Sequence, residues 1–226
     1  MNLTYYGHSC FLLEAGGSHV LFDPFIRPNP LAKDVNVDEI QADYILLSHG
    51  HGDHVADVEE IGKRTGAKLV GMFEVLAWFE AKGLNGDLKM NIGGTVELPF
   101  GTVQMVAATH SSSMPDGSYG GLAAGFVVEA EGKTLYFAGD SALTYDMKMV
   151  GERNEIDYAL LPIGDHFTMG IDDALVAANW TGAAKVIGMH YDTFPPIAID
   201  HDQTQAKARE AGQELILMKV GETITL

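Results

Sequence analysis

His49-Gly50-His51-Gly52-Asp53-His54 follows directly on the apolar run Tyr44-Ile45-Leu46-Leu47. Three imidazoles and a carboxylate are the nitrogen and oxygen donors that divalent metals take from proteins. The two interleaved glycines are expected to let the backbone turn tightly and aim those side chains inward. A solvated loop has no physical need for such an alternation. Further apolar runs also end on His or Asp: Val103-Gln104-Met105-Val106 before His110, Thr134-Leu135-Tyr136-Phe137 before Asp140, Tyr158-Ala159-Leu160-Leu161 before Asp165, and Val186-Ile187-Gly188-Met189 before His190. Each reads as a buried strand that delivers a polar side chain at its end, where ligand sites gather in sheets covered by helices. Convergence of separate strands predicts a site, not a local motif.

The elements that must position these residues follow from periodicity. Strands are expected at 3–6, 10–14, 19–22, 44–47, 68–71, 95–98, 102–108, 124–130, 133–138, 157–161, 185–189 and 214–218, with a last one near 222–225. Helices are expected at 54–65, 74–83, 172–180 and 202–211, with Gly66 and Gly83 as C-terminal stops. Periodicity alone gives an α/β class rich in sheet.

With 226 residues, 46% of them hydrophobic, and no Pro/Ser-rich or charged divider, the chain reads as one domain over 1–226. No basic segment followed by an apolar stretch opens it, and no apolar run approaches the roughly 20 residues of a bilayer crossing, so a soluble, cytoplasmic protein without membrane insertion is expected. Cys10 is the only cysteine, which excludes an internal disulfide and a thiolate metal cluster. The net charge of −17, with only 14 Lys and Arg and no basic run, speaks against a nucleic-acid substrate, whose phosphates need basic surface.

The H-x-H-x-D-H pattern of His49, His51, Asp53 and His54, followed by His110, by Asp140 in Phe137-Ala138-Gly139-Asp140-Ser141, and by His190, resembles the metallo-β-lactamase fold superfamily. Gly7-His8-Ser9-Cys10-Phe11, Phe22-Asp23-Pro24-Phe25, Leu161-Pro162-Ile163-Gly164-Asp165, Phe167-Thr168-Met169-Gly170 and Met189-His190-Tyr191 resemble its ascorbate-phosphate lactonase-like branch, which includes the UPF0173 metal-dependent hydrolases. The resemblance spans nearly the whole chain and implies a four-layer αββα sandwich. It also implies that His49, His51 and His110 hold one divalent ion, Asp53, His54 and His190 a second, and that Asp140 bridges them. Ions about 3.5–4 Å apart share a hydroxide that serves as nucleophile at neutral pH, with Asp53 as the catalytic carboxylate that orients it or takes its proton. Donors without sulfur suit Zn²⁺ first and leave Mn²⁺ and Fe²⁺ open.

The expected function is therefore hydrolysis of a small ester, lactone or phosphodiester, with a small molecule as partner. Relatives in the branch self-associate, so a homo-oligomer stays open. Two alternatives belong to other classes: a non-catalytic metal-binding or sensing protein, and a di-iron redox protein on the same fold.

Around the ligands, His8 is expected either to contact substrate or to anchor its loop. Asp23, before Pro24, is expected to hydrogen-bond a ligand histidine or to cap a turn, and Asp165 to act likewise. His166 is placed near the mouth on the substrate side. His19 and His201 read as surface residues, Asp172 and Asp173 as caps of a helix start, and Trp78 and Phe79 as core. The polar loop 110–121 is expected to close over substrate, with Tyr145, Phe167, Met169, Tyr191, Phe194 and the pair Pro195-Pro196 as candidate apolar lining.

Overall fold

A computed structural model describes residues 1–226. Two seven-stranded sheets face each other. The first holds β1 (Asn2–Gly7), β2 (Cys10–Ala15), β3 (Ser18–Phe22), β4 (Tyr44–Leu47), β5 (Lys68–Met72) and β6 (Asn85–Met90) in chain order, and the C-terminal strand β14 (Thr223–Thr225) closes antiparallel on β1. The second holds β7 (Thr95–Leu98), β8 (Gly101–Ala107), β9 (Ala124–Ala130), β10 (Lys133–Phe137), β11 (Tyr158–Pro162), β12 (Lys185–Met189) and β13 (Glu214–Ile216). In both, antiparallel hairpins come first and parallel crossovers follow, from β3 to β6 and from β10 to β13. Helices α2 (Val58–Thr65) and α3 (Phe73–Glu80) lie on the first sheet, and α4 (Tyr145–Arg153), α5 (Ile171–Thr181) and α6 (His201–Glu210) on the second. The short α1 (Gly52–Val55) sits at the end of β4. The layers are helix, sheet, sheet, helix, as the αββα expectation required.

Burial explains the sandwich. β4 and β11 are buried at every position, as strands covered on both faces must be. Between the sheets Phe137 of β10 meets Phe22 of β3 at 5.0 Å and Phe11 of β2 at 6.4 Å between ring centroids, so aromatic packing joins the two halves.

Three elements depart from the sequence reading. The expected helix 54–65 is broken at Asp57, whose carboxylate accepts hydrogen bonds from the Ile26 and Arg27 amides and so ties the junction to the loop that follows β3. Strand β6, Asn-Gly-Asp-Leu-Lys-Met, carries little β propensity and forms through backbone pairing with β5. Helix α4 buries only Met147 and Val150, too sparse a stripe to stand out in sequence.

Candidate metal centre

Every chemically promising strand end except β11 points to one edge of the sandwich. From the first sheet come His8 in the β1–β2 turn, Asp23 after β3, and Ser48, His49 and His51 between β4 and α1, with Asp53 and His54 on α1 itself. From the second come His110 after β8, Asp140 after β10 and His190 after β12. Backbone hydrogen bonds fasten the sheets together here, from His190 N to His8 O (2.8 Å) and from Ala124 N to Ser48 O (2.9 Å). Three of the non-glycine residues, His8 (φ 58°), Asp23 (φ 39°) and His190 (φ 56°), hold left-handed backbone that such residues rarely adopt. Strain of this kind survives where surrounding structure imposes it, and here it fixes the directions of these three side chains.

Within the cleft the donors form two groups. His49, His51 and His110 bring ring nitrogens within 4.8 Å of one another, with His49 Nε2 and His51 Nδ1 3.0 Å apart. Asp53, His54, His190 and His8 form the second such group. Asp140 Oδ2 lies between them, 3.6 Å from His110 Nε2, 3.3 Å from His54 Nε2 and 3.0 Å from His190 Nε2. Behind them Asp23 accepts from the Ser48 amide (2.8 Å) and the Ser48 hydroxyl, and its Oδ2 lies 2.8 Å from His54 Nδ1. The hydrogen bond expected of Asp23 is thus made to a histidine of the cluster.

The comparisons with known proteins agree with this geometry. The model of the beta-lactamase superfamily domain matches residues 2–190. A UPF0173 metal-dependent hydrolase of Methylacidiphilum infernorum is 50% identical over the full length of both chains, and one of Thermus thermophilus is 46% identical over 100% of this chain and 99% of its own. The chain belongs to the UPF0173 metal-dependent hydrolases. Among solved structures, Igni18, a metallo hydrolase from the archaeon Ignicoccus hospitalis, superposes with a TM-score of 0.90 at 38% identity, covering 100% of this chain and 97% of that one. An isothiocyanate hydrolase from Delia radicum gut bacteria shares the fold, with a TM-score of 0.80 at 21% identity over 100% of this chain and 99% of that one.

The residues of this UPF0173 hydrolase fit a metal on their own evidence. His54 Nε2, which faces the cluster, is buried without a hydrogen-bond partner, a costly state for a polar atom in a protein interior. Burial also pushes the imidazoles of His49, His51 and His110 below their ordinary pKa, which keeps them neutral, as ligation requires. His54 goes the other way: burial would lower it, but Asp140 and Asp23 together outweigh burial and raise it. Burial would likewise raise Asp140, and the His54 and His190 charges instead hold it well below the usual carboxylate range.

Other expectations are corrected. Asp165 is exposed and makes no side-chain hydrogen bond to a histidine of the cluster, and His166, expected on the substrate side, is exposed as well. Both residues take left-handed backbone (φ 60° and 57°) in the loop that follows β11. Asp172 and Asp173 lie in the first turn of α5, but its N-cap is Gly170 and no side chain caps it. Tyr145 is 77% exposed and stacks on Trp180, Phe167 is exposed, Met169 and Tyr191 are core, and only Phe194 reaches the cleft, 5.6 Å from the His8 ring. Phe79 lies in the core as expected, and Trp78 packs against it half-buried while donating to Asp116 (2.8 Å). Neither Gly50 nor Gly52 takes positive φ. Gly50 is required for a different reason: a Cβ there would lie 2.9 Å from the Ser113 carbonyl oxygen and 2.5 Å from Met114 Sδ, where the 110–121 loop crosses. Sequence reasoning missed Ser48 and Thr193. Ser48 was detectable as the hydroxyl next to His49, whereas Thr193 carries no local signal.

Proposed function

We propose that this chain is a dinuclear-metal hydrolase of a small ester, lactone or phosphodiester. One observation carries the reading: a single oxygen, Asp140 Oδ2, faces His110 of one donor group and His54 and His190 of the other. His49, His51 and His110 would hold one ion, Asp53, His54 and His190 the second, and Asp140 both. Zn²⁺, Mn²⁺ and Fe²⁺ all suit these donors. Bound there, divalent ions supply Lewis acidity and bring the pKa of a coordinated water from 15.7 to about 7.

The protein's own residues do the rest. His49, His54, Asp140 and His190 are buried, so substrate approaches across the partly open Asp53, His51 and His110. Burial acts to raise the Asp53 carboxyl, but His8, with Nε2 3.2 Å from Asp53 Oδ2, and the His54 charge outweigh it and keep Asp53 ionised. An ionised carboxylate at the mouth orients the attacking water and receives its proton. Phe25 and Phe194, with ring centroids 6.2 Å apart, form an apolar wall beside His8 for the unreactive part of a small substrate.

The test is a panel of esters, lactones and phosphodiesters assayed with metal content measured in parallel. Asp53→Asn and His54→Ala are expected to lower turnover roughly 10²–10⁴-fold. Variants that keep their metal and hydrolyse at the wild-type rate contradict the roles of Asp53 and His54. Absence of turnover on every substrate class favours a sensing protein, and a coloured protein that exchanges electrons favours a di-iron redox centre.

A further inference from the structure

His8 is connected to its surroundings as His49 is. The Ser48 hydroxyl donates to Asp23, so its oxygen accepts from His49 Nδ1–H (2.9 Å) and leaves the Nε2 lone pair of His49 aimed into the cleft. The Thr193 hydroxyl donates to the Tyr191 carbonyl (3.3 Å), so its oxygen accepts from His8 Nδ1–H (2.9 Å) and leaves the Nε2 lone pair of His8 aimed at the second donor group. There Nε2 stands 3.2 Å from Asp53 Oδ2. In this tautomer both atoms are acceptors, and two acceptors held so close need either a proton or a metal cation between them.

We propose that His8 is an additional ligand of the second ion, which then has five protein donors: His8, Asp53, His54, His190 and Asp140. The His8 side chain is wholly buried. Its donor atom lies within 4.8 Å of the donors of Asp53, His54 and His190. Its backbone is locked as well: the His8 carbonyl accepts from the Tyr5 hydroxyl (3.2 Å) and the His190 amide (2.8 Å), and the two rings stand 4.1 Å apart. A left-handed histidine fixed at both ends, with its outer nitrogen engaged by a hydroxyl, matches the way ligand imidazoles are oriented in metalloproteins. Five donors exceed the four of tetrahedral zinc and leave one position of an octahedron for a water, so the second position favours six-coordinate ions such as Mn²⁺ or Fe²⁺.

This inference rests on the dinuclear reading, and one experiment separates the two. The metal-free protein is titrated with Co²⁺ while heat and the visible ligand-field band are recorded. Wild type takes up two equivalents, the second with the weak absorption of a six-coordinate ion. His8→Asn, chosen because asparagine tolerates left-handed backbone, binds the first equivalent normally. It binds the second at least about tenfold more weakly, with a band intensified by the lower coordination number. A second equivalent with unchanged affinity and spectrum overturns the assignment and leaves His8 as a hydrogen-bond partner of Asp53. Fewer than two equivalents in wild type overturns the dinuclear reading instead. If circular dichroism shows that His8→Asn does not fold, Thr193→Val replaces it: the second affinity falls severalfold with the first intact, and an unchanged second affinity overturns the assignment.

Discussion

Asp23 is wholly buried, with one of its oxygens 2.8 Å from His54 Nδ1 and the other accepting from the Ser48 amide at 2.8 Å. Replacing it with asparagine substitutes a donor for one of those acceptors and lets both His54 and His49 turn. Asp23→Asn is expected to weaken metal binding by about 10–100-fold in competition with a chelator, and wild-type affinity contradicts the role. Acid acts on the same cluster. In the metal-free protein burial lowers His8 to about 4 and lowers His49, His51 and His110 as well. Below pH 6.5 the unfolded chain binds protons that these folded imidazoles refuse, so stability falls as pH drops from 6.5 toward 4, with His8 alone contributing on the order of 3 kcal/mol. His54, raised in the fold, already gives its full contribution below pH 6.5, while Asp23 and Asp57, raised by burial, oppose the trend. Thermal melts of chelated protein should show Tm decreasing across that window; a flat or rising Tm contradicts the balance. At this scale the cluster from His49 to His54 was readable because metal donors are few residue types in a tight spacing. Asp165 makes no side-chain hydrogen bond to the cluster histidines because a strand end fixes a position but not the direction in which the following loop turns.

The two glycines between the clustered histidines look alike in sequence but sit in opposite surroundings. Nothing lies within 4 Å of a Cβ on Gly52, the first residue of α1, whereas a Cβ on Gly50 would collide with the Ser113 backbone. Gly52→Ala should therefore be neutral or stabilising by up to about 1 kcal/mol, and Gly50→Ala destabilising by about 1–3 kcal/mol, as read by chemical denaturation. Equal effects contradict the proposed crossing of the 110–121 loop. Elements with strong apolar runs, such as β4 and β11, were legible because burial on both faces leaves no other composition. Strand β6 and helix α4 were not, since one depends on backbone pairing to β5 and the other presents only a narrow apolar face. The break between α1 and α2 was hidden because it comes from Asp57 bonding to residues 26 and 27, a contact distant in sequence.

At the scale of the molecule, each sheet carries only part of the centre. His49, His51, Asp53 and His54 belong to the first, and His110, Asp140 and His190 to the second, so the donors meet only when the sheets pack through Phe11, Phe22 and Phe137. Metal uptake and folding are therefore linked, and bound ions stabilise the folded chain by mass action. No helix is long and apolar enough to cross a membrane. The layered architecture was legible from the superfamily resemblance far more than from periodicity, which distinguishes sheet from helix but not how sheets stack. A shared two-ion centre is tested most directly by the metal content of protein dialysed to equilibrium against a divalent ion, compared with Asp140→Ala. Two ions per chain in wild type, with loss of at least one in the variant, is the predicted result. One ion or none in wild type, or two in both proteins, contradicts a centre joined through Asp140.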